Sequence, residues 1–122
     1  MARTICLIDD TPDLLRNFTE FLEMEGFNVW PCNGGSEALK RMENEEPDLI
    51  ITDLWMPGMD GMAIIEHTRK DKRLDKIPVI IFSARPVQDY EEMARKLGVG
   101  HYIKKPATLE EILQVVNSFF IN

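Results

Sequence analysis

A chain of 122 residues, 44% hydrophobic and 29% charged, has the size and make-up of one soluble domain with room for a proper core. Fourteen basic residues against 21 acidic ones leave a net charge of −7, which sets the surface against nucleic acid, because phosphate backbones are held by clustered cations. No apolar run approaches the roughly 20 residues of a bilayer span, and the opening Met1-Ala2-Arg3-Thr4 is not a signal peptide, so a cytoplasmic location is expected.

Strand-like and helix-like patterns alternate five times along residues 1–122, without repeat, low-complexity tract or linker, and read as a single domain. Thr4–Ile8 is the first strand. Thr11-Pro12 follows as a helix start, a hydroxyl cap with proline at the first helical position. Leu14, Leu15, Phe18 and Leu22 share one face of that helix, and Gly26 suits its end. Phe27–Trp30 is a short second strand and Ser36–Asn44 a second helix, with Ala38, Leu39 and Met42 inward.

Leu49–Thr52 is continuously apolar or β-branched, the pattern of a central strand covered on both faces. A loop over Trp55–Gly61 leads to a third helix capped by Asp60, which ends in the mixed-charge run Arg69-Lys70-Asp71-Lys72-Arg73, where cations suit the helix dipole. Pro78 opens the fourth strand, Val79–Phe82. The fourth helix places Tyr90, Met93, Ala94 and Leu97 on its inner side and stops at Gly98. Tyr102–Ile103 marks the fifth strand. Thr108-Leu109-Glu110-Glu111 is a capping box for a last helix whose stripe is Leu109, Ile112, Leu113, Val116 and Phe120, with Phe119-Phe120-Ile121 assigned to the core. Such alternation predicts an α/β fold, a parallel sheet between two helical layers.

Cys6 and Cys32 lie in or beside strands without metal-ligand spacing and read as buried thiols of a reducing compartment. His67 and His101 read as ordinary histidines, and Met56-Pro57-Gly58-Met59 as gap-filling thioethers rather than a metal site.

Four fragments remain: Asp9-Asp10, Asp53, Ser83 and Lys105-Pro106, each just beyond or at the end of an apolar run. In an open parallel sheet the carboxyl ends of the strands line one edge, and ligands bind there. Three carboxylates meeting at that edge call for a cation. Oxygen donors beside a phosphoryl group suit magnesium, and zinc would want histidine or cysteine. Asp53, alone on a central strand, is the candidate nucleophile for an aspartyl phosphate. Lys105, Ser83 and the metal would each take a phosphoryl oxygen. A cis bond at Lys105-Pro106 is expected, because the lysine must turn back toward Asp53.

Taken together, Ile8-Asp9-Asp10, Asp53-Leu54-Trp55-Met56-Pro57-Gly58-Met59-Asp60-Gly61, Phe82-Ser83-Ala84, Leu97-Gly98 and Tyr102-Ile103-Lys104-Lys105-Pro106 resemble the receiver domain of two-component response regulators over the whole chain. The resemblance implies a flavodoxin-like three-layer α/β/α sandwich with strand order 2-1-3-4-5. It implies that Asp53 takes a phosphoryl group from a phosphohistidine on a kinase or phosphotransfer protein. It implies Mg2+, with Mn2+ as a substitute, on Asp9, Asp10, Asp53 and the backbone carbonyl of Trp55. Ser83 and Lys105 would contact the phosphoryl oxygens, and Ser83 with Tyr102 would switch the surface of the fourth helix, fifth strand and fifth helix, a face suited to a phosphorylation-dependent dimer. The output partner is not readable. The sequence carries no output domain after residue 122, the pattern of a stand-alone receiver or of a piece of a longer protein.

Three departures stand out. Ser83 replaces a common threonine and gains rotamer freedom. Trp55 and Arg85 put a large ring and a cation beside the phosphate entrance, where they are expected to set the dephosphorylation rate. Ala107 stands where bulkier apolar residues are common. Two other function classes compete. A phosphorylation-independent scaffold of the same fold would not need the intact set of Asp9, Asp10, Asp53, Ser83 and Lys105. An aspartyl-nucleophile phosphatase would want an acid two residues after the nucleophile, and Trp55 stands there. The expectation is a switch that catalyses only its own phosphorylation and dephosphorylation, and not an enzyme with a free substrate.

Overall fold

The computed structural model describes residues 2–120. In chain order they form β1 (Thr4–Ile8), α1 (Pro12–Met24), β2 (Asn28–Cys32), α2 (Gly35–Met42), β3 (Leu49–Thr52), α3 (Gly61–Arg69), β4 (Val79–Ser83), α4 (Glu91–Lys96), β5 (His101–Lys104) and α5 (Leu109–Ser118), with a 3-10 turn at Val87–Asp89 ahead of α4. The five strands pair in parallel in the order β2-β1-β3-β4-β5. This is the doubly wound α/β sandwich that the alternation predicts.

Side-chain parity along the strands builds two cores. Ile5, Leu7, Leu49, Ile51, Ile80 and Phe82 point to the face covered by Phe18 and Leu22 of α1 and Ile112 and Val116 of α5. Their neighbours Cys6, Ile8, Ile50, Val79 and Ile81 point to the face covered by α2, α3 and α4 through Ala38, Met42, Ile64, Ile65 and Ala94. All four residues of β3 are buried, as a strand covered on both sides must be.

Several local readings shift. β2 runs on to Cys32 through Pro31, which is exposed on an edge strand where its missing N–H costs no ladder bond. Thr11 makes no side-chain cap for α1. Pro12 does occupy the first helical position, and the Asp9 carboxylate accepts the Thr11 N–H at 2.9 Å instead. Gly26, at φ +98°, turns the chain out of α1 in the left-handed region that a side chain rarely enters. Asp60 caps α3 by accepting the Ala63 N–H at 2.9 Å, and Thr108 caps α5 by accepting that of Glu111 at 3.0 Å.

α4 is only six residues long, and Met93, expected inward, is 51% exposed. Phe120 lies just past the end of α5 but still packs on Phe27, with ring centroids 5.9 Å apart. Ile121, the last residue of the expected apolar end, lies outside the described residues.

The charged run at the end of α3 is structural. Arg69 Nε donates to the Leu97 carbonyl at 2.7 Å and one of its terminal nitrogens to that of Ile77 at 3.0 Å, so one guanidinium ties α3, the entry to β4 and the end of α4 together. Among the described residues no helix is long and apolar enough to cross a membrane.

Candidate functional site

The strand register carries the site residues to one place. Ile8 pairs with Thr52, so the next residue on each strand is an aspartate, and the ladder continues one step, with the Asp53 N–H donating to the Ile8 carbonyl at 3.1 Å. On the far side of β4, Ser83 pairs with Lys104, and the Lys105 N–H donates to the Ser83 carbonyl at 3.0 Å. Lys105 is thereby anchored at the same carboxyl edge. Its bond to Pro106 is cis, as expected.

Lys105 reaches across that edge. Its Nζ donates to Asp9 Oδ2 at 2.6 Å and to Asp53 Oδ2 at 2.9 Å, while lying 5.1 Å from the centre of the Phe82 ring. Burial opposes the ammonium form, but the hydrogen bonds and charges of Asp9 and Asp53 outweigh it, and the Lys105 pKa lies above its ordinary value of 10.5. The lysine is therefore a fixed cation throughout the neutral range. Asp9, Asp10 and Asp53 each offer a carboxylate oxygen within 4.8 Å of the others. Asp9 and Asp53 are buried and Asp10 is exposed, so the cluster opens to solvent on the Asp10 side.

Asp53 is oriented from two directions. Its Oδ1 accepts the Leu54 N–H at 2.7 Å and, more weakly, the Trp55 N–H at 3.4 Å, and its Oδ2 faces Lys105. The loop that supplies those amides folds back on Asp53, with the Gly61 N–H donating to the Leu54 carbonyl at 3.0 Å. A Cβ on Gly61 would overlap the Asp53 carbonyl oxygen, a backbone atom that cannot move aside. Gly61 is a supporting residue the sequence reading did not single out. The sequence reading had it only as the end of the Trp55–Gly61 loop and of the run from Asp53, with no role of its own.

The donor set tests the fit to a metal. Three carboxylates, with neither thiol nor imidazole in the cluster, suit a hard divalent cation that takes oxygen ligands. Three negative charges against the one ammonium of Lys105 leave a net −2 for such a cation to offset.

Ser83 is 1% exposed, and its hydroxyl oxygen accepts the Arg85 N–H at 3.1 Å. Tyr102 is half-buried; its hydroxyl donates to the Val99 carbonyl at 3.0 Å, and its ring meets that of Tyr90 edge-on at 5.7 Å. Burial raises the Tyr90 phenol pKa above its ordinary value. Trp55 is 73% exposed, with the Arg85 guanidinium 5.8 Å from the centre of its ring and 4.0 Å from Asp89. The structure thus brings Asp9, Asp10, Asp53 and Lys105 together, places Ser83 at the same edge, and sets Tyr102 beside the chain that follows β4.

The remaining candidates fall elsewhere. His67 and His101 are exposed, the latter against Phe119 at 4.5 Å. Cys6 and Cys32 are free and buried. Cys32 Sγ donates to the Trp30 carbonyl at 3.7 Å, and the two neighbouring thiols shift one another, Cys6 up, with burial adding to the rise, and Cys32 down.

Comparison with known proteins gives this geometry a family. The model of the response regulator receiver domain matches residues 5–117. Protein PilH of Pseudomonas aeruginosa is 30% identical over 118 residues, which is 97% of this chain and 97% of that protein. The alkaline phosphatase synthesis transcriptional regulatory protein PhoP of Bacillus subtilis is also 30% identical, but the match spans 92% of this chain and 46% of PhoP. Among solved structures, the response regulator protein TrrA of Thermotoga maritima, in complex with Mg(2+)-BeF, superposes with a TM-score of 0.81 at 27% identity, covering 96% of this chain and 98% of that one. A receiver domain from Clostridium thermocellum gives a TM-score of 0.84 at 30% identity, over 96% of this chain and 93% of that one. The chain belongs to the response regulator receiver domain family of two-component signalling.

Proposed function

We propose that residues 1–122 act as one receiver domain in which Asp53 takes a phosphoryl group from a phosphohistidine on a kinase or phosphotransfer protein. An O–P bond forms at the Asp53 carboxylate as the P–N bond breaks. The electron pair returns to the imidazole nitrogen, and the ring leaves neutral because its other nitrogen carries the proton. Lys105 keeps its proton throughout and offers N–H donors to a phosphoryl oxygen; its fixed charge offsets the charge that gathers on the transferring group. Ser83 would donate its hydroxyl hydrogen to a second oxygen, and the side-chain rotation that aims it there would carry its oxygen away from the Arg85 N–H. Mg2+, or Mn2+ in its place, would be held by Asp9, Asp10, Asp53 and the Trp55 carbonyl. When bound it would supply charge neutralisation for the phosphoryl oxygens.

One observation carries this reading: a buried ammonium bridging Asp9 and Asp53 with a third carboxylate within 4.8 Å, all at the carboxyl edge of the sheet. Turning Ser83 toward a phosphoryl group would loosen the chain after β4, against which Tyr102 rests, and so alter the face of α4, β5 and α5. That face would serve an output partner or a second phosphorylated copy. No step uses a free substrate, so the domain modifies only itself, in a setting taken to be cytoplasmic.

The test is to add acetyl phosphate with Mg2+ and weigh the intact protein. A gain of one phosphoryl group that is lost without Mg2+ and lost in Asp53→Ala is expected. The same gain in Asp53→Ala would refute the assignment. Tryptophan fluorescence on adding beryllofluoride gives a second readout, since exposed Trp55 responds at the site while buried Trp30 supplies a constant background.

A further inference from the structure

The cleft between α3 and the segment that precedes and forms α4 is not used by phosphoryl transfer, yet it adjoins that site. It measures about 330 Å3 and has an apolar floor that includes Leu54, Met62, Ala63, Tyr90 and Met93. Its rim carries Asp60, Glu66 and Asp89 against Arg85, three acids and one base, for a net −2. Arg85 is itself turned toward Asp89 at 4.0 Å. Met93, which the apolar spacing of α4 assigned to the core, stands half-exposed at this cleft.

We propose that this cleft, separate from the face of α4, β5 and α5, docks a cationic amphipathic helix of a further partner protein, and that phosphorylation of Asp53 strengthens the docking. The coupling, though not the cleft, rests on the phosphoacceptor reading. The chemistry of the walls selects the occupant. A groove between two helices, away from any sheet edge, receives a helix face and not an added strand. Two methionines in its floor give an adaptable apolar surface. The acidic rim asks for Lys or Arg beside the apolar anchors and disfavours an acidic segment.

The link to Asp53 is structural at both ends. Leu54 lies in the floor, and its N–H is the amide donated to Asp53 Oδ1 at 2.7 Å. The other wall begins at Arg85, whose N–H is held by the Ser83 hydroxyl at 3.1 Å. A rotation of the Ser83 side chain that carries its oxygen toward the phosphoryl group would take the acceptor away from the Arg85 N–H, leaving the segment from Arg85 to Tyr90 free to move back and widen the cleft.

The probe is a synthetic peptide with Leu at i, i+3, i+4 and i+7 and Lys at the flanking positions, titrated into isotopically labelled protein with and without Mg2+ and beryllofluoride. Amide shifts should gather at Leu54, Ala63, Glu66, Asp89, Tyr90 and Met93, and beryllofluoride should tighten binding by about threefold or more. Glu66→Lys should weaken binding, whereas Glu20→Lys, an equal charge change on α1, should not. Shifts elsewhere or none, equal binding of a Glu-for-Lys peptide, or the same shifts appearing with protein concentration alone would overturn the docking claim. Binding at the cleft that beryllofluoride leaves unchanged or weakens would overturn the coupling. If beryllofluoride produced no shift at Asp53 and Lys105, the phosphoacceptor reading would fail and take the coupling with it, while the peptide map would still decide the cleft.

Discussion

The two edges of the sheet spend their charges differently. At the amino edge, ties run from charge to backbone: Arg69 donates to the carbonyls of Leu97 and Ile77, and the Thr4 N–H donates to Asp48 at 2.7 Å, while Arg73 pairs with Asp71 at the surface. At the carboxyl edge charges also meet side chain to side chain, with Lys105 between Asp9 and Asp53 and negative charge in excess. A charge that satisfies a carbonyl holds the fold together. A charge held against its own kind suits a cation that would offset it. The same sheet therefore has a stitched end and a reactive end, and substitutions should separate them.

The largest effect expected is at the reactive end. Asp53→Ala should abolish phosphoryl uptake from acetyl phosphate while leaving the thermal midpoint unchanged or raised, because it removes one of three crowded acids; mass spectrometry and calorimetry on the same sample read both. Lys105→Ala should slow uptake by about 100-fold, the scale on which losing one charge-stabilising donor acts, as rates from single-turnover quench would show.

At the stitched end the signs reverse. Arg69→Ala should cost about 2 kcal/mol in urea unfolding, since it strands carbonyls that the guanidinium satisfies, with the uptake rate of the folded protein intact. If uptake fell in step with stability, the division between the edges would be wrong. A smaller change is expected from replacing both Trp55 and Arg85 by alanine, which removes the ring and cation beside the site and should alter the dephosphorylation rate several-fold. An unchanged rate would show that neither residue sets it and would leave Arg85 to the cleft alone. Smallest, Thr108→Ala should cost about 1 kcal/mol through the lost cap of α5, with neither site affected.

Much of this was legible from residue order. Continuous apolar runs marked buried strands, and 3.6-residue spacing marked the inner faces of α1 and α5, because both signals depend only on neighbours along the chain. Asp60 and Thr108 were readable as caps for the same reason. Thr11 does stand at the start of α1, but its hydroxyl makes no cap bond there; its own amide is held by Asp9, an acid placed by the sheet rather than by the helix. Met93 was misread because α4 is too short to turn its whole apolar stripe inward.

By itself the sequence determined which residues are candidates for chemistry, since acids, a hydroxyl and a lysine beyond strand ends are a property of the chain. Tertiary structure alone decided that Lys105 spans Asp9 and Asp53, that Gly61 must lack a side chain, and that Ser83 binds the amide of Arg85. Each of those facts depends on strand register and on how closely one loop approaches another. Those are set by packing between distant segments, which no local pattern encodes.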